Sequence, residues 1–137
     1  MAILLIILAT VFVCGLALHG YKQYKIRVLH RMSENEYSVA VTLWEYACVV
    51  KESISVAIRK SGGLLEFEKI AVPHSHGYTL SLELIGTYFR VHAVPVKYNK
   101  TGRLSFLADN TLTVRAADHF GKQASPDDPE YKGNAGE

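Results

Sequence analysis

The sequence predicts an α+β fold, a long N-terminal α-helix whose second half packs on a small antiparallel β-sheet. Three observations predict it. The opening stretch MAILLIILATVFVCGLALHG carries no formal charge, and none appears before Lys22. No Pro or Gly interrupts residues 21–60. After Gly63 the apolar pattern changes from helical spacing to strict alternation.

Residues 1–20 form the first element, an apolar helix. Between Ala2 and Leu18 every residue except Thr10 and Gly15 is apolar, which reaches the lower bound of a bilayer span at about 17 residues. A secretion signal wants a basic leader and a small-x-small cleavage site, but nothing basic precedes the run and Ala17-Leu18-His19 is a poor site. A lipoprotein site at Cys14 wants small residues before it, where Val11-Phe12-Val13 stand. A membrane anchor fits better, although its cations lie only on the C-terminal flank, which by the positive-inside bias leaves the domain inside the cell.

Residues 21–61 continue the helix. Ala40, Leu43, Ala47, Val50, Ile54 and Ile58 recur at threes and fours, and Trp44 widens the stripe. This is an amphipathic helix with one face committed to the sheet. Gly62-Gly63 ends it. Gly15 and Gly20 are its weak points, each costing about 1 kcal/mol relative to Ala. A helix this long exceeds the needs of one small domain, so its first half needs partners outside the chain.

Residues 62–120 hold the sheet. Tyr78, Leu80, Leu82 and Leu84 alternate with Thr79, Ser81 and Glu83, a strand with one buried face. A weaker strand is expected at Leu65–Glu68, with others at 88–94, 104–107 and 112–114. Pro95 confines its end of the strand to an edge or bulge. Asn99-Lys100-Thr101-Gly102 and Asp109-Asn110 supply turns. Residues 121–137, rich in Gly, Pro and Asp, read as an irregular surface tail.

The 137 residues carry 15 Lys+Arg against 13 Asp+Glu, a balance that gives no argument for nucleic acid. Locally, Lys22, Lys25, Arg27 and Arg31 make a basic belt before the first acid, Glu34. On one continuous helix the two cysteines, Cys14 and Cys48, stand roughly 50 Å apart, too far for a disulfide within the chain. His74-Ser75-His76 lacks a completing Cys or acid for a metal. Asp118-His119, and Glu83 with His92, read as surface polar residues. Asn99-Lys100-Thr101 matches a glycosylation sequon, but Lys97 stands where bacterial machinery usually wants an acid. No phosphate loop, nucleophile elbow or haem-attachment motif occurs. No cofactor, metal site or catalysis is expected.

Two stretches carry a family resemblance. AILLIILATVFVCGLALHGYKQYKIRVLHRMSENEYSVAVTLWEYA resembles the N-terminal helix of type IV pilins and pseudopilins, and YFRVHAVPVKYNKTGRLSFLADNTLTVRAADHFGKQASPDDP is similar to the end of bacterial pilin-like proteins. The departures are specific. Leu5 occupies the fifth position, where the family carries Glu, the Gly-Phe processing site is absent, and His19-Gly20 replace the helix proline.

The resemblance implies a structural subunit of a homopolymeric filament, with Ile3, Leu4, Leu5, Ile6, Ile7, Leu8, Val11, Phe12, Val13, Leu16 and Leu18 as its assembly core. It also implies pilus assembly machinery as a partner and a leader-free, methylated N-terminus. The location it implies is the inner membrane before assembly, then an extracellular filament at the cell surface. A minor pilin or pseudopilin of a secretion machine, and a single-pass membrane-anchored binding domain, are the alternatives.

Overall fold

In a computed structural model, the structure describes residues 2–61, 72–73, 75 and 77–133, with side chains described for 13–59 of the helix. The fold is α+β. Helix α1 spans Ala2–Ser61 and runs through Gly15 and Gly20 without a break. Four strands follow: β1 (Tyr78–Ile85), β2 (Tyr88–Pro95), β3 (Ser105–Asp109) and β4 (Val114–Ala117). They form one antiparallel meander in the order β1-β2-β3-β4. The chain divides into two units, Met1–Arg31 and Met32–Glu137.

In the second unit, Val39, Leu43, Ala47 and Val50 of the helix are fully buried. Spacings of three and four set them on one face, and Phe89, Val91, Ala93, Phe106 and Ala108 of the sheet close over it. Ala40 and Ile54 belong to the same core. Trp44 and Ile58 do not: they are 49% and 39% exposed. Each helical step turns about 100°, so Trp44 rotates away from the seam that its neighbour Leu43 fills. The expected packing roles of Trp44 and Ile58 are corrected accordingly.

The strands match the alternating pattern with shifted ends. Gly86, at φ 61, opens the two-residue β1–β2 turn and suits type II′, which needs positive φ only at its first central residue. The last strand runs Val114–Ala117 rather than 112–114, because Leu112 turns at φ 59. Pro95 sits at the end of an inner strand, beyond Ala93↔Phe106, the last β2–β3 pair, so its missing N–H interrupts no ladder. The strand expected at Leu65–Glu68 lies outside the described residues.

The C-terminal segment is not a loose tail as far as Gly133. Ala116 N–H donates to Pro129 O (3.0 Å) and Tyr131 N–H to Val114 O (2.8 Å), so residues 129–131 lie along the outer edge of β4. The Tyr131 ring meets Phe106 edge-on at 5.1 Å. Three residues are too few to show periodicity in a sequence, and one aromatic docking on the core supplies the order instead.

The inner-membrane location is also corrected. Among the described residues no helix is long and apolar enough to cross a membrane. From Val13 the apolar stretch ends at Leu18, and Lys22, Lys25, Arg27 and Arg31 follow.

Leu43→Ala is expected to lower the unfolding free energy by about 2–5 kcal/mol. Trp44→Ala, on the exposed side, is expected to change it by about 0.5 kcal/mol or less. Urea titration of both variants checks the contrast.

Candidate assembly surface and the polar anchors of the sheet

Residues 13–31 form an unusual helical surface. Val13, Leu16, Leu18, Tyr21, Tyr24, Ile26 and Leu29 are each more than half exposed. At about 100° per residue they point in every direction round the axis rather than along one stripe. A helix with apolar side chains all round is stable in that form only when it is surrounded. The basic belt is likewise a ring: Lys22 and Lys25 share one side, Arg27 and Arg31 the opposite one, and all are exposed. Of the expected core, Ile3, Leu4, Leu5, Ile6, Ile7, Leu8, Val11 and Phe12 lie on the helical backbone, but their side chains lie outside the described residues.

The second unit holds its own helix in place with polar anchors that no sequence motif announces. Asn35 Nδ2 donates to Thr101 O (2.7 Å). Glu36 Oε1 accepts from Arg103 N (2.7 Å) and Leu104 N (3.1 Å). Tyr78 Oη donates to Leu104 O (2.9 Å), and burial, with Glu36 and Tyr131 adding to it, pushes that phenol well above its ordinary pKa. A methyl group at Gly102 would run into the Tyr78 hydroxyl, so only glycine lets the turn lie this close. Asn110 fastens the other end: its Oδ1 accepts from Phe89 N (2.7 Å), and its carbonyl accepts from Lys51 Nζ (3.1 Å).

The chemical candidates resolve into structural pairs. Asp118 accepts from Arg103 Nε (2.6 Å) and Tyr98 Oη (3.0 Å); the Arg103 hydrogen bond in particular holds its carboxyl below the usual range. His119 Nε2 lies 2.7 Å from Asp128 Oδ2, which also accepts from Ser125 N (2.7 Å). Asp118 and His119 thus serve different networks rather than one acid–base pair. His92 is buried, with Nε2 3.7 Å from Glu83 and Nδ1 without a partner, which corrects its reading as a surface residue. Asn99 is exposed in its turn at φ 58. His74 and His76 lie outside the described residues; among those described, no cluster of His, Cys, Asp or Glu could hold a metal.

The arrangement is a long N-terminal helix packed on a small antiparallel sheet, compatible with a pilin-like fold. No protein-family model, curated protein or solved structure matches the chain.

Two measurements probe the second unit. Glu36→Ala leaves two backbone N–H groups without their acceptor and is expected to cost about 1–3 kcal/mol in urea unfolding. For His92, burial lowers the pKa below its ordinary 6.5, against the opposing pull of Glu83. The folded state therefore resists a proton that the unfolded chain accepts, so stability is full above pH 6.5 and falls as pH drops below it. The urea midpoint is expected to fall between pH 7.5 and 5.5, and to fall less in His92→Gln.

Proposed function

We propose that this chain is a structural subunit that polymerises through its N-terminal apolar helix, in the manner of a type IV pilin, and carries out no catalysis. The observation behind this reading is the all-round exposure of apolar side chains from Val13 to Leu29. Burying one Leu or Ile side chain contributes about 1.5–3 kcal/mol, and the residues named here would contribute several such increments when neighbouring helices enclose them. Ala17 and Gly15 leave room for close approach, and Gly15 has nothing within 4 Å. Repeated head-to-tail contacts of one surface with another give an open helical polymer. The basic belt from Lys22 to Arg31 is interleaved with Tyr24, Ile26 and Leu29 and limits how far along each helix a neighbour can bury.

A minor or tip subunit is the second reading, favoured by the lack of any acid between Ala2 and Leu18, where the resembling family carries a Glu in its apolar helix. Such a subunit enters a filament made mostly of another chain.

The test is Leu16→Asp in the full-length chain, followed by sedimentation and negative-stain microscopy. The unsubstituted chain is expected to form thin filaments that pellet, and the variant to stay in the supernatant with its sheet unit folded. Filaments that form only after a second pilin-like chain is added support the tip reading. A full-length chain that stays monomeric under both conditions overturns both.

A further inference from the structure

We propose that the edge of β1 that no described strand flanks is a pairing site for the β1 strand of a second copy of this chain, an isologous contact separate from the helix surface. Among the described residues no strand flanks β1 on the side away from β2. The two-residue turn makes Ile85↔Tyr88 a hydrogen-bonded pair, and alternation extends this to Glu83↔Arg90, Ser81↔His92 and Thr79↔Val94. The bond from Val96 N to Gly77 O keeps the same phase. The N–H and C=O groups of Leu80, Leu82 and Leu84 therefore point to the open edge. Tyr78 also points that way and already donates its N–H to Ser75 O.

The edge carries little of the usual protection against pairing. Over eight residues it has one charge, Glu83, and no Lys, Pro or bulge. Its leucines are incompletely covered: Leu80 and Leu82 are half-buried and Leu84 is 39% exposed, whereas Val91 and Ala93 on the next strand are fully buried.

The strand is also complementary to itself in one register. Antiparallel pairing centred on Leu82 sets Leu82 against Leu82 and Leu80 against Leu84, so the open main-chain groups exchange bonds and the leucines form one ladder. On the other face Ser81 lies opposite Glu83, a hydroxyl donor against a carboxylate, and Thr79 opposite Ile85. Centring on Glu83 brings two carboxylates face to face, which is unfavourable. Centring on Ser81 sets Tyr78, whose N–H is already taken, opposite Leu84. An odd shift turns the leucines to opposite faces. Leucine packing, main-chain bonding and charge all select the same twofold arrangement, and its occupant is a second copy of this chain.

The test uses the full chain with Leu82→Cys and with Cys14→Ser and Cys48→Ser. Hydrogen-bonded antiparallel partners sit about 5.5 Å apart at Cα, within disulfide reach. Mild oxidation is expected to give a dimer linked from position 82 to position 82, identified by mass spectrometry of the joined peptide. Ser81 is exposed, so its charge variants keep the fold. Adding Ser81→Glu sets like charges opposite Glu83 and is expected to cut the yield about tenfold; Ser81→Lys retains or raises it. Absence of the link, or a yield indifferent to the charge at position 81, overturns the proposal.

Amide exchange in the cysteine-unsubstituted chain supplies a second readout. The N–H groups of Leu80, Leu82 and Leu84 are expected to exchange slowly and to speed up in Ser81→Glu. Protection of these groups without an 82–82 link assigns the edge to another occupant and also overturns it. Both readouts are independent of the helix surface, so they succeed or fail whether or not Leu16→Asp abolishes filaments.

Discussion

The seam on which the second unit depends is the one where Val39, Leu43, Ala47 and Val50 of the helix meet Val91, Ala93, Phe106 and Ala108 of the sheet. Most of these side chains are small, and small residues let the helix lie close enough for dispersion contacts to add up. Phe106 is the largest of them and is held on two sides, by Tyr78 at 5.7 Å and Tyr131 at 5.1 Å between ring centres. Apolar burial fixes how strongly the helix is held but not its position along the axis. The anchors at Asn35, Glu36 and Lys51 supply that position, because each side chain meets main-chain groups of one particular turn. The 97–104 turn is pinned near one end of the seam and the 109–112 turn near the other.

That division explains how much was legible in the sequence. The helix face could be read because 3.6-residue periodicity follows from burial on one side, and β1 because alternation does the same for a strand. Trp44 was misplaced because an aromatic beside a buried stripe looks the same in a sequence whether it widens the stripe or turns outward. Asn35 and Glu36 gave no signal, since a polar residue on a helix has the same one-letter code whether it faces water or an N–H pair on a distant turn. The 129–131 edge was missed for a related reason: its order comes from Tyr131 on Phe106 and two bonds to β4, all of them long-range. His92 faced the same difficulty: it is buried between Ser81 and Leu107 of the adjoining strands, residues far from it in sequence.

The apolar opening segment shows where a sequence pattern and a physical requirement part. Periodicity identifies an all-round apolar helix without saying what surrounds it, and a bilayer and a bundle of sibling helices ask for nearly the same composition. Among the described residues no helix is long and apolar enough to cross a membrane, and the apolar side chains from Val13 to Leu29 stand exposed in the single chain with a need for cover. That need is the physical basis of the proposed polymer.

The two proposed contacts differ in kind, and the difference has a structural consequence. Helix burial is non-directional and tolerates rotation and sliding, so by itself it gives cohesion without a fixed geometry. An edge strand is directional, because its N–H and C=O groups accept only a partner in register, and a shift of one residue exchanges the two faces. In a filament cohered by helices, contacts of the second kind are the ones able to fix the rotation of one subunit against its neighbour. A closed twofold contact uses up both edges it joins, so β1 pairing can link subunits or strands of a filament only in twos. The helix surface has no such limit, and growth along the filament therefore falls to it alone.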